Sequence, residues 1–196
     1  VYRPKATDAS DALSTRFAKL SESLLEMSRD HDYGDESIIA KHGKVNGKSF
    51  IVGKQSYDLV IVPPSHTLRA STINLLEKFL KNGGKVIAVK HLPTMIEGKE
   101  DARAWQVLSK ARIVEDTVVD VREALDIVLS KDVSISTGDG SDINPIWYHH
   151  RREWDTEIYF FVNTSLKSGY DAEVTVNAVG RLEEWDPLTG KKKSVP

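Results

Sequence analysis

Apolar positions in this chain first alternate between helix-like spacing and short unbroken runs, then give way near residue 137 to a succession of strand-like segments. Leu13, Phe17, Leu20, Leu24 and Met27 recur at spacings of four and three, which puts them on one stripe of a helix. Residues 1–7 read as an irregular lead-in, and Asp8 or Ser10 is placed to cap the helix through its side-chain oxygen. Asp30-His31-Asp32-Tyr33-Gly34-Asp35 breaks the pattern, and Asp35 can cap a short helix through Ile38 and Ile39. Val45-Asn46-Gly47-Lys48 carries the Asn-Gly pair of a tight hairpin turn, with Ser49 to Val52 as the return strand.

A βαβ unit follows. Tyr57-Asp58-Leu59-Val60-Ile61-Val62 contains a continuous apolar run, which suits a strand covered on both faces. Leu68, Thr72, Leu75, Leu76, Phe79 and Leu80 supply the packing face of a crossover helix, Gly83 suits a left-handed C-terminal cap, and Lys85-Val86-Ile87-Ala88-Val89 is the next strand. A helix near Asp101 to Lys110 carries Ala104, Trp105 and Leu108; Arg112-Ile113-Val114 forms a short edge strand; Val118 to Leu129 forms a further helix on Val121, Leu125 and Val128. This alternation predicts an α/β fold, a flavodoxin-like three-layer sandwich with a parallel sheet, over residues 8–135.

Residues 136–142 are turn formers without periodicity. Beyond them only strands are expected, at Ile146 to Arg152, Glu157 to Asn163, Ala172 to Val179 and Leu182 to Trp185, with a turn at Asp186-Pro187-Leu188-Thr189-Gly190. Residues 138–196 are therefore expected to be a second unit, part of an antiparallel β-sandwich and incomplete as it stands.

Composition narrows the functional classes. A hydrophobic content of 40% and a charged content of 29% are those of an ordinary globular protein. A net charge of −2 gives no field to attract nucleic acid or an anionic membrane. No apolar run approaches the roughly 18 residues a membrane-spanning helix needs. The chain has no cysteine, which removes disulfides, thiolate metal sites and a cysteine nucleophile together. It starts at Val1 and is read as a piece of a longer protein.

In open α/β sheets, ligands bind beyond the carboxyl ends of the strands. Here those ends carry Pro63-Pro64-Ser65-His66 and Lys90-His91-Leu92-Pro93. Ser65, His66 and His91 are thus the candidate crevice rim. Ser65 and His66 are adjacent, however, and lack the Gly-x-Ser-x-Gly frame of a nucleophile elbow. Helix-entry positions explain them better, and His91 reads as a surface or interdomain contact. No Gly-x-Gly-x-x-Gly or Gly-x-x-x-x-Gly-Lys-Ser/Thr pattern occurs, so neither a dinucleotide nor a nucleoside triphosphate is expected, and no cofactor is. Asp30, His31, Asp32 and Asp35, and more loosely Asp139 and Asp142, gather carboxylates without a Ca²⁺-loop pattern; capping and turn roles are preferred to a metal. His149 and His150 fall in a strand, where neighbours face opposite ways and cannot chelate one ion. Arg151 and Arg152 are offset by Glu153, Asp155 and Glu157, and Lys191 to Lys193 read as a solvated turn or edge.

Some of these segments also resemble a known family. Tyr57 to Pro63, Leu68, Leu75-Leu76-Glu77-Lys78-Phe79 and Gly83-Gly84-Lys85-Val86-Ile87 resemble the glutamine-amidotransferase-like domain of large glycoside hydrolases. That domain includes the β-galactosidase trimerisation domain and its counterpart in α-L-rhamnosidase-type enzymes of family 106. His150-Arg151, Glu157 to Asn163, Gly180 and Glu183 to Gly190 resemble the strand-rich segment that follows it in the rhamnosidase-like proteins. The resemblance spans about residues 10–190. It implies a bacterial polysaccharide-degrading enzyme, exported in most relatives, whose catalytic carboxylates sit on a separate (β/α)₈ barrel that 196 residues of this pattern do not contain. Amidotransferases of this fold use Cys, His and Glu; the cysteine is missing, so that activity does not carry over and no catalytic residue is transferred. The implied partner is the parent enzyme's barrel, with carbohydrate and a second copy of the chain as further candidates. Two other readings stay open: a carbohydrate-binding module using Trp147, Tyr148, Trp154 and Trp185, and a free-standing hydrolase or transferase using Ser65 and His66.

Overall fold

The computed structural model describes residues 8–195; the lead-in expected over residues 1–7 lies outside them. Helix α1 (Asp8–Glu26) is followed by α2 (Glu36–His42) and by an antiparallel sheet of β1 (Gly43–Asn46), β2 (Ser49–Val52) and β3 (Gln55–Tyr57). Asp35 caps α2 as expected, its carboxylate accepting from the amides of Ser37 at 2.8 Å and Ile38 at 3.0 Å. Gly47 takes φ +54° in the β1–β2 turn, the conformation that the Asn-Gly pair anticipates. Ser10 lies within α1 rather than ahead of it, so it is not the cap. Phe17 also departs from the expected stripe: Leu20, Leu24 and Met27 are buried, but Phe17 is exposed and leans on Tyr33 at 5.6 Å between ring centres.

The parallel sheet comprises β4 (Leu59–Val62), β6 (Lys85–Val89) and β9 (Arg112–Val114) in the order β4-β6-β9. Tyr57 does not open β4. It belongs to β3, opposite Phe50, because Asp58 interrupts the extended run between the two sheets. The two faces of β6 divide the core by the period of two that strands impose. Val86 and Ala88 pack with Ile73, Leu76 and Phe79 of α3 (Ala70–Lys81) and with Ala104, Val107 and Leu108 of α4 (Ala102–Leu108). Ile87 and Val89 pack with Leu20 and Leu24 of α1, with Met27 just beyond its end, and with Val121, Ala124 and Leu125 of α5 (Val118–Val128). Helices on both sides are the reason β4 and β6 read as unbroken apolar runs.

Between β4 and β9 the chain makes a small extra sheet of β5 (Thr67–Leu68), β7 (Met95–Ile96) and β8 (Lys99–Glu100), order β5-β7-β8. Leu68, expected on the crossover helix, sits in β5, and Ile73, fully buried, takes its place at the centre of the helix face. The α3 N-terminus lacks a side-chain cap of its own. Glu36 accepts from the Arg69 amide at 2.8 Å and Glu97 from the Ala70 amide at 3.1 Å, so two distant carboxylates satisfy donors that the helix leaves free and sit where its dipole favours anions. At the other end Gly83 takes φ +80° and donates to Leu80 at 3.0 Å, while Gly84 donates to Phe79 at 2.8 Å, the paired bonds of a left-handed helix stop. Trp105, counted above on the apolar side of α4, is 57% exposed; Val107 is buried instead.

After α5 come three antiparallel pairs. β10 (Val133–Ser136) pairs with β13 (Glu173–Val176), β11 (Ile146–Glu153) with β12 (Thr156–Asn163), and β14 (Glu183–Trp185) with β15 (Lys192–Ser194). β10 lies on the α/β side of residue 137, yet its Val133 and Ile135 share a third apolar cluster with Ile143, Tyr148, Tyr159 and Phe161. Its partner strand is some 40 residues later in the chain, a distance over which local pattern says nothing. The Asp186 turn forms as expected, the carboxylate accepting from the amides of Leu188 at 2.8 Å and Thr189 at 3.0 Å. The fold is therefore mixed α/β, with a small parallel sheet (β4-β6-β9), a mixed one in which β5 and β7 run parallel and β7 and β8 antiparallel, and several antiparallel ones. No helix among the described residues is long and apolar enough to cross a membrane.

Candidate functional site

The carboxyl ends of β4 and β6 bring Ser65, His66 and His91 together. The Ser65 amide donates to the His91 carbonyl at 3.0 Å, and the two imidazoles meet edge to face, 5.2 Å between centres at 79°. The His66 carbonyl accepts from the amides of Thr94 and Met95, each at 3.2 Å, so the two loops are sewn to one another by backbone. The Lys90–His91 peptide is cis. On the β9 side Arg16 of α1 reaches across, donating to the Lys90 carbonyl at 2.8 Å and pairing with Asp116 at 2.5 Å, and Lys90 pairs with Glu115.

What this arrangement can do chemically is limited by one hydroxyl. Ser65 Oγ is buried and has no hydrogen-bond partner among the described residues. An activated serine needs a base within about 2.6–3.2 Å and a third group orienting that base. Neither imidazole bonds to Ser65 Oγ, and the two rings pack against each other instead. The residues predicted for the rim do converge, in the geometry of a loop junction.

The acidic run resolves into separate duties. Asp35 is a helix cap, and its two amide donors hold its carboxyl below the ordinary range. Asp32 accepts from the Tyr57 hydroxyl at 2.6 Å; burial and that carboxylate push the Tyr57 phenol up to about 12. His31 is 3.1 Å from the Arg29 carbonyl through Nδ1 and 3.2 Å from Ser21 Oγ through Nε2. Burial raises the Asp30 carboxyl above its ordinary value, with His149 opposing. Asp139 accepts from Thr137 and from the Ser141 amide within its own turn, and Asp142 pairs with Arg122 at 2.9 Å. No group of three or more such side chains among the described residues is placed to hold a metal ion.

One constellation was not legible beforehand. His150 lies between two carboxylates, Nδ1 at 2.8 Å from Asp132 and Nε2 at 2.9 Å from Glu157, with its ring stacked on Tyr159 at 4.1 Å and 15°. For both contacts to be hydrogen bonds, two ring donors or one protonated carboxyl are required. The cross-strand register that sets His150 opposite Tyr159 was available from the β11–β12 hairpin, but Asp132 comes from just ahead of β10. His149, one residue away, faces outward, in keeping with strand alternation. Of the four aromatics considered for sugar stacking, Tyr148 is buried, and burial with the Asp132 charge pushes its phenol up to about 12. Trp147 is half-buried, Trp154 is 92% exposed, and Trp185 carries the Lys192 ammonium 3.8 Å above its ring.

Comparison with known proteins places the chain. A family model described as alpha-L-rhamnosidase matches residues 8–196. No curated protein matches. Among solved structures, the apo exo-carrageenase GH42 from Bacteroides ovatus superposes with a TM-score of 0.54 at 18% identity, over 91% of this chain and 24% of that one. At that identity the likeness is one of fold, and this chain spans about a quarter of the length of its structural neighbour. With the family model covering residues 8–196, the chain belongs to the alpha-L-rhamnosidase family of glycoside hydrolases, family 106.

Proposed function

We propose that this chain is a non-catalytic accessory region of an α-L-rhamnosidase-type glycoside hydrolase. Its first unit is a glutamine-amidotransferase-like, flavodoxin-like α/β layer structure. The second is part of a β-sandwich that begins at β10, and together they support a separate catalytic barrel. The split of the core across the two faces of β6 supports the layered reading, and the third apolar cluster supports a distinct second unit. Export from the cell and contact with the parent enzyme's barrel belong to the same reading.

The observation that carries the proposal is the buried Ser65 hydroxyl without a base, at the sheet edge where open α/β sheets bind their ligands. Glycosidic cleavage in most such enzymes uses two carboxyl groups, about 5–9.5 Å apart across the scissile bond. At this rim the serine and two histidines face two carboxylates beyond β9, and both of these are held in ion pairs, Asp116 with Arg16 and Glu115 with Lys90. The test is Ser65→Ala and His66→Ala in the complete parent enzyme, assayed on an aryl α-L-rhamnopyranoside. Both should retain kcat within a factor of about two, whereas removing a true acid, base or nucleophile costs roughly 10²-fold or more. A loss of that size in either variant would put the chemistry in this chain.

A further inference from the structure

A groove of about 260 Å³ lies between the C-terminal half of α1 and the loops at the open end of the β11–β12 hairpin, lined by Glu22, Glu26, Asn144, Trp147, Thr164 and Ser165 together with Pro145. Thr164 and Ser165 are engaged locally, the Thr164 hydroxyl donating to the Pro145 carbonyl at 2.8 Å and Ser165 Oγ accepting from the Ser168 amide at 3.1 Å, but four other polar groups are not. Among the described residues, the Glu22 and Glu26 carboxylates, the Asn144 amide and the Trp147 indole N–H have no hydrogen-bond or ion-pair partner. Helix stability does not account for the two glutamates. Spaced four apart on one face, they repel one another. Glu26 also stands in the last turn of α1, which has no basic residue and where the helix dipole disfavours an anion.

We propose that this groove is a saccharide subsite that takes an uncharged pyranose unit. An indole face offers the apolar side of a sugar ring a flat partner, and its N–H adds a donor. Two unpaired carboxylates accept hydrogen bonds from neighbouring sugar hydroxyls, charge-assisted bonds stronger than neutral ones. The Asn144 amide can donate and accept beside them. The same carboxylates repel a uronate or a sulfate ester, so the site selects neutral sugars by charge. Trp147 stands opposite Val162, and His149 opposite Phe160, so the groove opens along a face where Val162 is 44% and Phe160 51% exposed, room for an adjoining unit of an oligosaccharide. This inference rests on reading the chain as part of a glycoside hydrolase and adds a binding role to it.

Saturation-transfer NMR and calorimetry on this chain, with methyl α-L-rhamnopyranoside and xylotriose as neutral probes and digalacturonate as the anionic one, test it. At least one neutral probe should bind, and digalacturonate should bind at least about tenfold more weakly. Trp147→Ala should weaken the neutral probe about tenfold, the scale of one lost ring contact. Glu22→Gln with Glu26→Gln should weaken it and narrow the gap to digalacturonate. Silence from both neutral probes would overturn the inference. So would binding that Trp147→Ala leaves unchanged, or equal affinity for the anion. The readout is binding, not hydrolysis, so a failure here leaves the accessory reading of the sheet edge standing, and a failure of that reading would appear as turnover.

Discussion

Gly84 lies so close to the ring of Phe79 that a β-carbon at residue 84 would stand 2.2 Å from Phe79 Cδ2. Phe79 is fully buried, packed edge to face on Phe50 at 5.6 Å, and has nowhere to swing. The double glycine that ends α3 therefore does two different jobs. Gly83 supplies the left-handed backbone, and Gly84 supplies the absence of a side chain where β6 begins. Gly84→Ala is expected to destabilise the fold by about 2–3 kcal/mol through overpacking, and Gly83→Ala by about 1 kcal/mol through backbone strain. Urea unfolding of the two variants checks both the magnitudes and their order.

Arg29 ties the end of α1 to the end of α5. Its guanidinium is only 6% exposed, donates to the carbonyls of Leu129 and Ser130 at 3.1 Å each, and pairs with Asp126 at 2.5 Å. A cation beside the last carbonyls of a helix satisfies groups the helix leaves open. Arg29→Ala would strand those acceptors, with an expected loss of about 2–4 kcal/mol. Arg29→Lys should recover only part of it, since an ammonium cannot span three acceptors with the guanidinium's planar fork. Equilibrium denaturation of both variants reads the effect.

Glu77 fastens α3 to α4. It accepts from Arg103 at 2.8 Å and from Lys81 at 2.9 Å, and these two cations, Arg103 first, lower its carboxyl from the ordinary 4.5 to about 2. A carboxylate whose folded-state pKa is depressed contributes stability above its unfolded value and loses it as the pH falls through the folded one. The difference in Tm between the protein and Glu77→Gln should thus be constant above about pH 5 and shrink between pH 4.5 and 2. Because the pair is solvent-screened, the difference should also fall with added salt. A gap that widened on acidification would contradict the assignment.

Much of the α/β half could be read without coordinates because its signals are local. The Asp35 cap, the Asn46-Gly47 turn, the left-handed Gly83 and the apolar runs of β4 and β6 each follow from a few neighbouring residues. The misses have a common physical origin in tertiary pairing. Two-residue strands such as Thr67–Leu68 have no period to detect, and β10 acquires its identity only from β13. Phe17 and Trp105 fit a helical stripe by spacing, yet both are exposed. Spacing alone does not say how wide the covered face is. At the candidate site, the convergence of Ser65, His66 and His91 followed from the rule for sheet edges. The bracketing of His150 by Asp132 and Glu157 needed the pairing of strands from three parts of the chain.

The most direct measurement is turnover by this chain in isolation, purified and shown to be folded, on an aryl α-L-rhamnopyranoside beside the complete parent enzyme. The account predicts release at the uncatalysed rate from the isolated chain and ready hydrolysis by the parent. Hydrolysis by the isolated chain that disappears in Ser65→Ala or His66→Ala would contradict it.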